Sequence, residues 1–351
     1  MNPQQEPSKP VHEGRPLRSL RDLEYRLNED RRVLQELAEH WKDQYSPFQQ
    51  PKKPKPHQRG AKSSKLREID NPGKALKRVQ KKILNRLLKP LELPHFLFGA
   101  VPGRCIKMHA REHLGSKTVV MMDIKNYYPN IKCRHIYRVF RHVLLCSPRI
   151  ARILTQLTTY DWHLPQGAPT SPALANLFLA SIYGPVLEAC ADKKIVVTAW
   201  VDDLAFSGDD ARSVMELVRQ TLAENGFKLA PQKRLILNPR TAKLITGVRL
   251  GASQLRASKK KLHEIRAGIH NLRVGRFTER GRSADIRSLE GQIMHIKSIC
   301  PADAVRLEAT LKLAVAARGQ HSTSHQQRLL SQQSGNVLSA RTSQNHSDDP
   351  W

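Results

Sequence analysis

Residues 194–208, KIVVTAWVDDLAFSG, decide the fold, because apolar runs stand on both sides of an adjacent pair of carboxylates. Such runs are typical of buried strands, and the charged pair between them predicts a tight turn at Asp202 and Asp203. A carboxylate at the end of an apolar strand is costly to bury unless it is paired or binds a metal ion. The stretch therefore predicts a hairpin that presents two adjacent carboxylates.

A second apolar run, KTVVMMDI at residues 117–124, predicts a buried strand that ends at Asp123. Carboxylate oxygens suit Mg²⁺, which also accepts waters and substrate phosphates as ligands. Two such ions, about 3.5–4 Å apart, can stabilise the attacking and the leaving oxygen of a phosphoryl transfer. The alternative for an isolated Asp-Asp pair is a solvated turn. Asp209 and Asp210 illustrate it, since they follow Gly208 and are predicted to cap a helix over residues 210–225.

The segment LPQGAPTSPALANL, residues 164–177, combines a side-chain amide, a glycine and prolines before a predicted helix. Gly167 would let a backbone or a base approach closely, because it has no Cβ atom. Thr170 or Ser171 could cap the helix, with Pro172 in its first turn. An ordinary loop-to-helix junction is the alternative explanation.

The charge of the chain favours a polyanionic partner. It has 351 residues, with 59 Lys and Arg against 31 Asp and Glu, which gives a formal net charge of +28. Nucleic acid is favoured over an anionic membrane, since we find no apolar run long enough to span a bilayer and no signal peptide.

The number of cysteines, five, is odd, and no two of them form a C-x-x-C pair. This pattern argues against a zinc site and against a set of disulfide bonds, and it indicates a reducing compartment.

Composition and periodicity divide the chain into segments. Residues 1–16 and 319–351 are predicted to be disordered. Residues 17–64 are predicted to form a helix up to about Tyr45 and a basic, Pro/Lys-rich linker from Pro47 to Lys65. Residues 66–69 are predicted to be extended and 172–191 helical. A hairpin is expected around Asn238-Pro239, followed by helices near 258–274, 283–299 and 302–317.

Three motifs resemble the successive motifs of reverse transcriptases and stand in the same order. They are VVMMDIKNYYPNI (119–131), LPQGAPTSPALANL (164–177) and WVDDLAFSG (200–208). RTAKLITGVRL (240–250) resembles the hydrophobic-Thr-Gly element of bacterial retron enzymes, and residues 260–272 and 288–301 resemble their helical thumb. The resemblance runs from about Lys65 to Leu313. It implies an α+β right-hand polymerase with fingers and an antiparallel-sheet palm over 65–251 and a helical thumb over 252–318.

The resemblance also implies roles for individual residues. Asp123, Asp202 and Asp203 match the catalytic aspartates that hold two Mg²⁺ ions, and Lys233 matches a lysine that protonates the pyrophosphate leaving group. Five further residues match substrate-binding positions of the family. Lys65 and Arg67 match residues that bind the triphosphate, and Tyr128 matches the aromatic residue that lies under the incoming sugar. Gln166 and Gly167 match the segment that contacts the nucleotide and the template.

Two positions depart from the family pattern. Trp200 stands where the hairpin usually has Tyr, which leaves the apolar bulk but removes a hydroxyl group. His109-Ala110-Arg111-Glu112-His113 stands where retron enzymes often carry Asn-Ala-x-x-His. His109 and His113 are four residues apart, which would also suit a metal pair on a helix, but without a third ligand we favour a structural or RNA-contacting role.

The implied partners are an RNA template, the RNA–DNA hybrid, deoxynucleoside triphosphates, a cognate non-coding RNA and a toxin or effector protein. A bacterial cytoplasmic location, no membrane and a role in antiphage defence are expected. The alternatives are a reverse transcriptase of the group II intron or diversity-generating type, or a non-catalytic RNA-binding protein with the same fold.

Overall fold

The computed structural model describes residues 16–51, 66–237, 243–278 and 281–316. In chain order the helices are α1 (Leu20–Leu27), α2 (Arg31–Glu39), α3 (Lys74–Ile83), α4 (Ile106–Arg111), α5 (Tyr127–Asn130), α6 (Cys133–Arg138), α7 (Pro148–Thr158), α8 (Ser171–Ile182), α9 (Gly184–Asp192), α10 (Met215–Glu224), α11 (Lys259–Val274), α12 (Arg282–Ile299) and α13 (301–316). The strands are β1 (Tyr45–Pro51), β2 (Leu66–Pro72), β3 (Val119–Asp123), β4 (Val196–Trp200), β5 (Asp203–Ser207), β6 (Leu235–Leu237), β7 (Leu244–Ile245), β8 (Val248–Leu250) and β9 (Leu255–Ala257).

The chain divides into two compact units, residues 1–255 and 256–351. A four-stranded antiparallel sheet in the order β4-β5-β3-β6 lies at the centre of the first unit. The two central strands, β3 and β5, are largely buried, and Val120, Leu204 and Phe206 are fully excluded from solvent. A strand covered on both faces is apolar throughout, which explains the continuous hydrophobic runs at β3 and β5.

The second unit is a helical unit with its own core, built by α11, α12 and α13. Their buried side chains recur at three- and four-residue spacing, as Ile265, Ile269 and Leu272 on α11 and Leu289, Ile293 and Ile296 on α12 illustrate. The three helical stretches predicted near 258–274, 283–299 and 302–317 are confirmed.

The N-terminal part differs from the prediction in two ways. The single helical stretch is two helices, because Asn28 ends α1 in the left-handed conformation (φ 48°) and the Asp30 side chain caps α2. The predicted linker begins as strand β1, which pairs antiparallel with β2 from Tyr45 opposite Pro72 to Pro51 opposite Leu66. The remaining linker residues, 52–65, lie outside the described residues.

Two further local predictions are wrong. Strand β6 pairs with β3 rather than with β7, and β7 pairs with β8 around the turn at Thr246 and Gly247. Asp209 and Asp210 do not cap a helix. The Asp210 carbonyl instead closes a turn by accepting hydrogen bonds from Ser213, and α10 begins only at Met215.

The predicted helix over 172–191 is divided at Tyr183 into α8 and α9. Among the described residues no single helix has the length and apolarity to cross a membrane, whereas α8 and α9 together pass that test as a pair bent by 62°. The disorder predicted for both termini concerns residues that lie outside the described part, apart from Pro16.

Candidate active site

The three predicted catalytic aspartates meet at one end of the four-stranded sheet. Antiparallel pairing of β3 and β5 places Asp123 directly opposite Asp203. Asp202 occupies the two-residue turn between β4 and β5, and its carbonyl accepts a hydrogen bond from the Ile124 backbone at 3.0 Å. Asp123 is 4% exposed, and the other two aspartates are half-buried. The predicted hairpin and strand are confirmed.

The hairpin turn is held in a costly conformation. Val201 has φ 59°, in the left-handed region that a β-branched residue rarely adopts. Gly99 packs against it so closely that a Cβ atom there would lie 2.7 Å from the Val201 nitrogen. Asn176 on α8 donates a hydrogen bond to the Gly99 carbonyl at 2.7 Å. A chain of contacts thus runs from α8 through Gly99 to the turn that carries Asp202.

The segment before Gly99 extends the edge of the sheet beside β4. Ala199 donates to the Phe96 carbonyl at 2.7 Å, and Phe98 donates to the Ala199 carbonyl at 2.8 Å. Asn176 belongs to the motif at residues 164–177, but no local pattern predicts its contact with Gly99 or the importance of the segment 96–99. These contacts join residues about 80 to 100 positions apart in the chain, which local sequence patterns do not reveal.

His109 and His113 on α4 form a buried hydrogen-bond network with hydroxyl groups. The Nε2 atoms of both histidines lie 2.7 Å from Thr198 Oγ1 on β4. His113 Nδ1 contacts Ser207 Oγ on β5 at 2.7 Å, and His109 Nδ1 contacts Thr246 Oγ1 at 2.6 Å. All four ring nitrogens therefore have hydroxyl partners. The structure favours the structural role over a metal pair.

Burial also determines the charge of these two histidines. It lowers the pKa of His109 to about 4 and the pKa of His113 to about 3, with the neighbouring His109 adding to the effect on His113. Both rings are therefore neutral near pH 7. The Trp200 ring packs against His109 with 5.6 Å between ring centroids, so the residue that replaces the usual Tyr connects this network to the β4–β5 hairpin.

Tyr128 lies near Asp202 and near Arg67 on β2. It belongs to the short helix α5, which follows Asp123 along the chain and is anchored where the Tyr127 hydroxyl donates to the Ala175 carbonyl at 2.8 Å. Burial raises the pKa of Tyr128, the Asp202 carboxylate raises it further and Arg67 on β2 opposes the rise. The ring is thus within electrostatic reach of both charged groups.

The loop with Gln166 and Gly167 is bound to β2 through Asp70. Gln166 N donates to Asp70 Oδ2 at 2.9 Å, and Asp70 N donates to the Gln166 carbonyl at 2.8 Å. Gly167 has φ 127°, and a Cβ atom there would lie 3.0 Å from Ile69 and 3.1 Å from the Asp70 carbonyl. The close approach predicted at this glycine is made by β2, the strand that carries Arg67, through the Ile69 side chain and the Asp70 carbonyl.

The two predicted lysines are less completely described. Lys65 lies outside the described residues. Lys233 is in a short 3₁₀ helix, and its side chain is likewise outside the description. The segment before it runs beside β3, where Ala230 N donates to the Asp123 carbonyl at 2.8 Å. The backbone therefore places Lys233 three residues from a direct contact with the Asp123 main chain.

A cavity of about 670 Å³ opens next to Asp123, between α10 and residues 227–231. Arg212, Arg219 and Arg234 are among the residues that line it, as is Glu216, which pairs with Arg219 at 2.5 Å. Glu216 offsets the charge of Arg219, while Arg212 and Arg234 add positive charge to the lining, which suits phosphate groups. No sequence pattern predicts this cavity.

The carboxylates are of the type that Mg²⁺ binds, and the strand register brings them to one end of the sheet. Asp123 and Asp203 lie opposite each other on paired strands and Asp202 is in the adjoining turn. Within the described ranges, no group of three or more His, Cys, Asp or Glu side chains is arranged to hold a metal ion as it stands. Mg²⁺ in nucleotide-dependent sites takes one or two carboxylates and completes its shell with water and substrate phosphates, so a closed protein cage is not required.

The model of the family described as reverse transcriptase (RNA-dependent DNA polymerase) matches residues 50–263, more than half of the chain. The chain belongs to the reverse transcriptase family. The enzyme class predicted from the sequence is confirmed. The family implies the right-hand polymerase fold, with which the mixed helices and antiparallel sheets of this reverse transcriptase agree.

Curated relatives of this reverse transcriptase come from bacterial retrons. It is 26% identical over 238 residues to the retron Ec86 reverse transcriptase of Escherichia coli, covering 67% of this chain and 72% of the relative. It is 28% identical to the retron Se72 enzyme of Salmonella heidelberg and 28% identical to the retron Mx65 enzyme of Myxococcus xanthus. Those alignments cover 66% and 70% of this chain but only 58% and 61% of the relatives. The recognition as a retron-type enzyme is confirmed.

Proposed function

We propose that this reverse transcriptase copies an RNA template into DNA and that Asp123, Asp202 and Asp203 are its catalytic metal ligands. The observation that carries the proposal is the strand register, which sets Asp123 opposite Asp203 with Asp202 in the adjoining turn. Two Mg²⁺ ions held there would activate the primer hydroxyl group and stabilise the charge that develops on the pyrophosphate leaving group.

The protein groups around the carboxylates position the substrates. Arg67, with Lys65 two residues before it, would bind the triphosphate through charge-assisted hydrogen bonds. Tyr128 would lie beneath the sugar and exclude a 2′-hydroxyl group. Gln166 and Gly167 would contact the nucleotide and the template. This assignment is supported by the direct attachment of the 166–167 loop to β2, which carries Arg67.

Two features would act on the leaving group. Lys233 would donate a proton to the pyrophosphate, which is supported by the path of its segment along β3 at Asp123. The arginine-lined cavity beside Asp123 would attract the departing anion. Both roles place positive charge where negative charge develops during the reaction.

The same proposal assigns the parts of the right hand. The four-stranded sheet with the aspartates is the palm, the β1–β2 hairpin with Arg67 belongs to the fingers, and α11 to α13 form the thumb. The retron relatives support a cognate non-coding RNA as the template, primed by a 3′- or 2′-hydroxyl group. An effector protein, a bacterial cytoplasmic location and a role in antiphage defence belong to the same proposal.

The double substitution Asp202→Asn and Asp203→Asn tests the metal assignment. We expect it to lower primer extension by about 100-fold or more while RNA affinity stays within about 2-fold, because charge at the reacting atoms is lost without a change of shape. Asp209→Asn with Asp210→Asn is the matched control, since this second Asp-Asp pair is exposed and follows β5 on the same segment. Extension by the Asp202/Asp203 variant at the wild-type rate would disprove the assignment.

A further inference from the structure

The turn formed by residues 160–163 holds a tryptophan in an unfavourable backbone conformation. Tyr160 and His163 exchange two backbone hydrogen bonds, at 2.9 and 2.8 Å, so that Asp161 and Trp162 form a two-residue hairpin loop. Their φ angles are 39° and 63°. Loops with two positive φ angles strongly favour glycine at the second position, because a side chain there is strained. A large ring at this position therefore needs a reason other than turn formation.

Core packing does not provide that reason. Trp162 is 60% exposed, whereas its neighbour Trp41 is only 8% exposed. The Trp41 ring meets Trp162 edge-on, with 5.7 Å between centroids and an angle of 85°. The Lys42 ammonium group lies 5.2 Å from the Trp162 centroid. The Trp162 indole thus contacts a second aromatic ring and lies near a cation, while most of its surface is exposed to solvent.

The turn is also fixed to the rest of the protein. The Trp162 carbonyl accepts a hydrogen bond from Cys133 N at 3.0 Å, and His163 Nε2 lies 3.4 Å from Asp70 Oδ2. The same Asp70 oxygen accepts a hydrogen bond from Gln166 N. The exposed ring is therefore rigidly connected to the loop that is proposed to contact the template.

We propose that Trp162 is a stacking site for an unpaired base of the template strand, in the single-stranded segment ahead of the catalytic centre. An exposed indole with a neighbouring ammonium group suits a nucleobase and its phosphate, whichever the base, because every base has a flat π face. Bases within a duplex are already stacked on each other and leave no free face for the indole. We therefore assign Trp162 to an unpaired base of the template. The net charge of +28 favours a polyanion over a neutral or basic peptide. This inference rests on the proposed function, since it takes RNA as the template.

The test compares the affinities of two primer–template duplexes for the full-length protein in EDTA, so that no synthesis occurs. One duplex has a six-nucleotide unpaired RNA 5′ overhang and the other has a flush end. Trp162→Gly removes the ring and suits the positive φ angle, so this variant keeps the turn. Trp162→Phe keeps an aromatic ring. Tyr25→Ala is the control for an exposed aromatic residue, because Tyr25 is 86% exposed on α1.

We expect the overhang to increase wild-type affinity by about 10-fold and Trp162→Gly to abolish most of that gain. Trp162→Phe should retain much of it, and neither Trp162→Gly nor Tyr25→Ala should change binding of the flush duplex. Abasic nucleotides, introduced one at a time, should weaken wild-type binding at one overhang position by a similar factor. The same abasic site should have no effect on Trp162→Gly, because the stacking partner is already absent.

Two results would overturn the inference. Trp162→Gly could bind the overhang as tightly as the wild type, or it could weaken the binding of both duplexes equally. Since binding is measured without metal ions, a failure here leaves the proposed polymerase activity untouched, and an inactive polymerase leaves this test interpretable.

Discussion

Asp123 and Asp203 lie opposite each other because β3 and β5 are antiparallel and their buried side chains fix the register. At the scale of single residues, the sequence predicted a candidate site residue where a chemically suitable side chain stood in a clear local pattern, as at a carboxylate that ends an apolar strand. It did not predict residues whose role depends on a contact with a distant part of the chain. Gly99 packs against the turn that carries Asp202, and Asn176 donates a hydrogen bond to the Gly99 carbonyl, yet no local pattern predicts either contact.

Tyr128→Ala should allow the enzyme to incorporate ribonucleotides. The ring lies within electrostatic reach of Asp202 and Arg67, where the proposal places the sugar and triphosphate of the nucleotide. Removing it should lower the preference for deoxynucleotides, measured as a ratio of kcat/KM values, by at least about 10-fold. Tyr128→Phe, which keeps the ring, should preserve the preference. An unchanged ratio in the alanine variant would refute the assignment.

At the scale of secondary-structure elements, local signals predicted local structure. The β4–β5 hairpin and the three helices of the second unit follow from apolar periodicity and are present. The pairing of β6 with β3 was not predictable in this way, because more than a hundred residues separate the two strands. Strand β1 was mistaken for linker since Pro47 and Pro51 disfavour central strands, although proline is tolerated in the two-stranded β1–β2 sheet.

Gly99→Ala should disturb the β4–β5 hairpin. Its new Cβ atom would lie 2.7 Å from the Val201 nitrogen, which forces the turn and Asp202 to move. We expect a loss of about 1–3 kcal/mol in unfolding free energy and a larger relative loss of primer extension than of RNA affinity. Gly184→Ala is the matched control, since an added Cβ there meets nothing within 4 Å. Wild-type activity and stability in Gly99→Ala would contradict the positioning role.

The histidine network should make stability depend on pH. His113 is fully buried with a pKa lowered to about 3, whereas the unfolded chain protonates histidine near pH 6.5. The unfolded state therefore binds more protons below about pH 6.5, and unfolding free energy falls as pH decreases towards 4, by up to about 1.4 kcal/mol per pH unit for each histidine.

Thermal unfolding between pH 7.5 and pH 5 measures this dependence. His113→Gln should be less stable at pH 7.5 and should lose less of its remaining stability on acidification than the wild type does. His263→Gln, at an exposed position on α11, should leave the dependence unchanged. Equal slopes for wild type and His113→Gln would mean that this histidine is not the neutral, buried group that the structure indicates.

At the scale of the whole molecule, charge and motif order were the strongest predictors. A net charge of +28 predicted a nucleic-acid partner, and three motifs in the order of the reverse transcriptases predicted the family that the match over residues 50–263 establishes. The Trp162 turn escaped the sequence analysis, because its unusual φ angles and its exposure become visible only in three dimensions. The proposed function requires template, nucleotide and metal ions to act together.

Primer extension on an RNA template by the purified protein is the decisive experiment for the proposed activity. The account predicts DNA synthesis with deoxynucleotides and Mg²⁺, little synthesis with ribonucleotides, and none after EDTA is added or when Asp202 and Asp203 are replaced by Asn. Any RNA that co-purifies with the protein should be retained in a parallel reaction, so that a required cognate template is present. Absence of deoxynucleotide incorporation in both reactions would contradict the account.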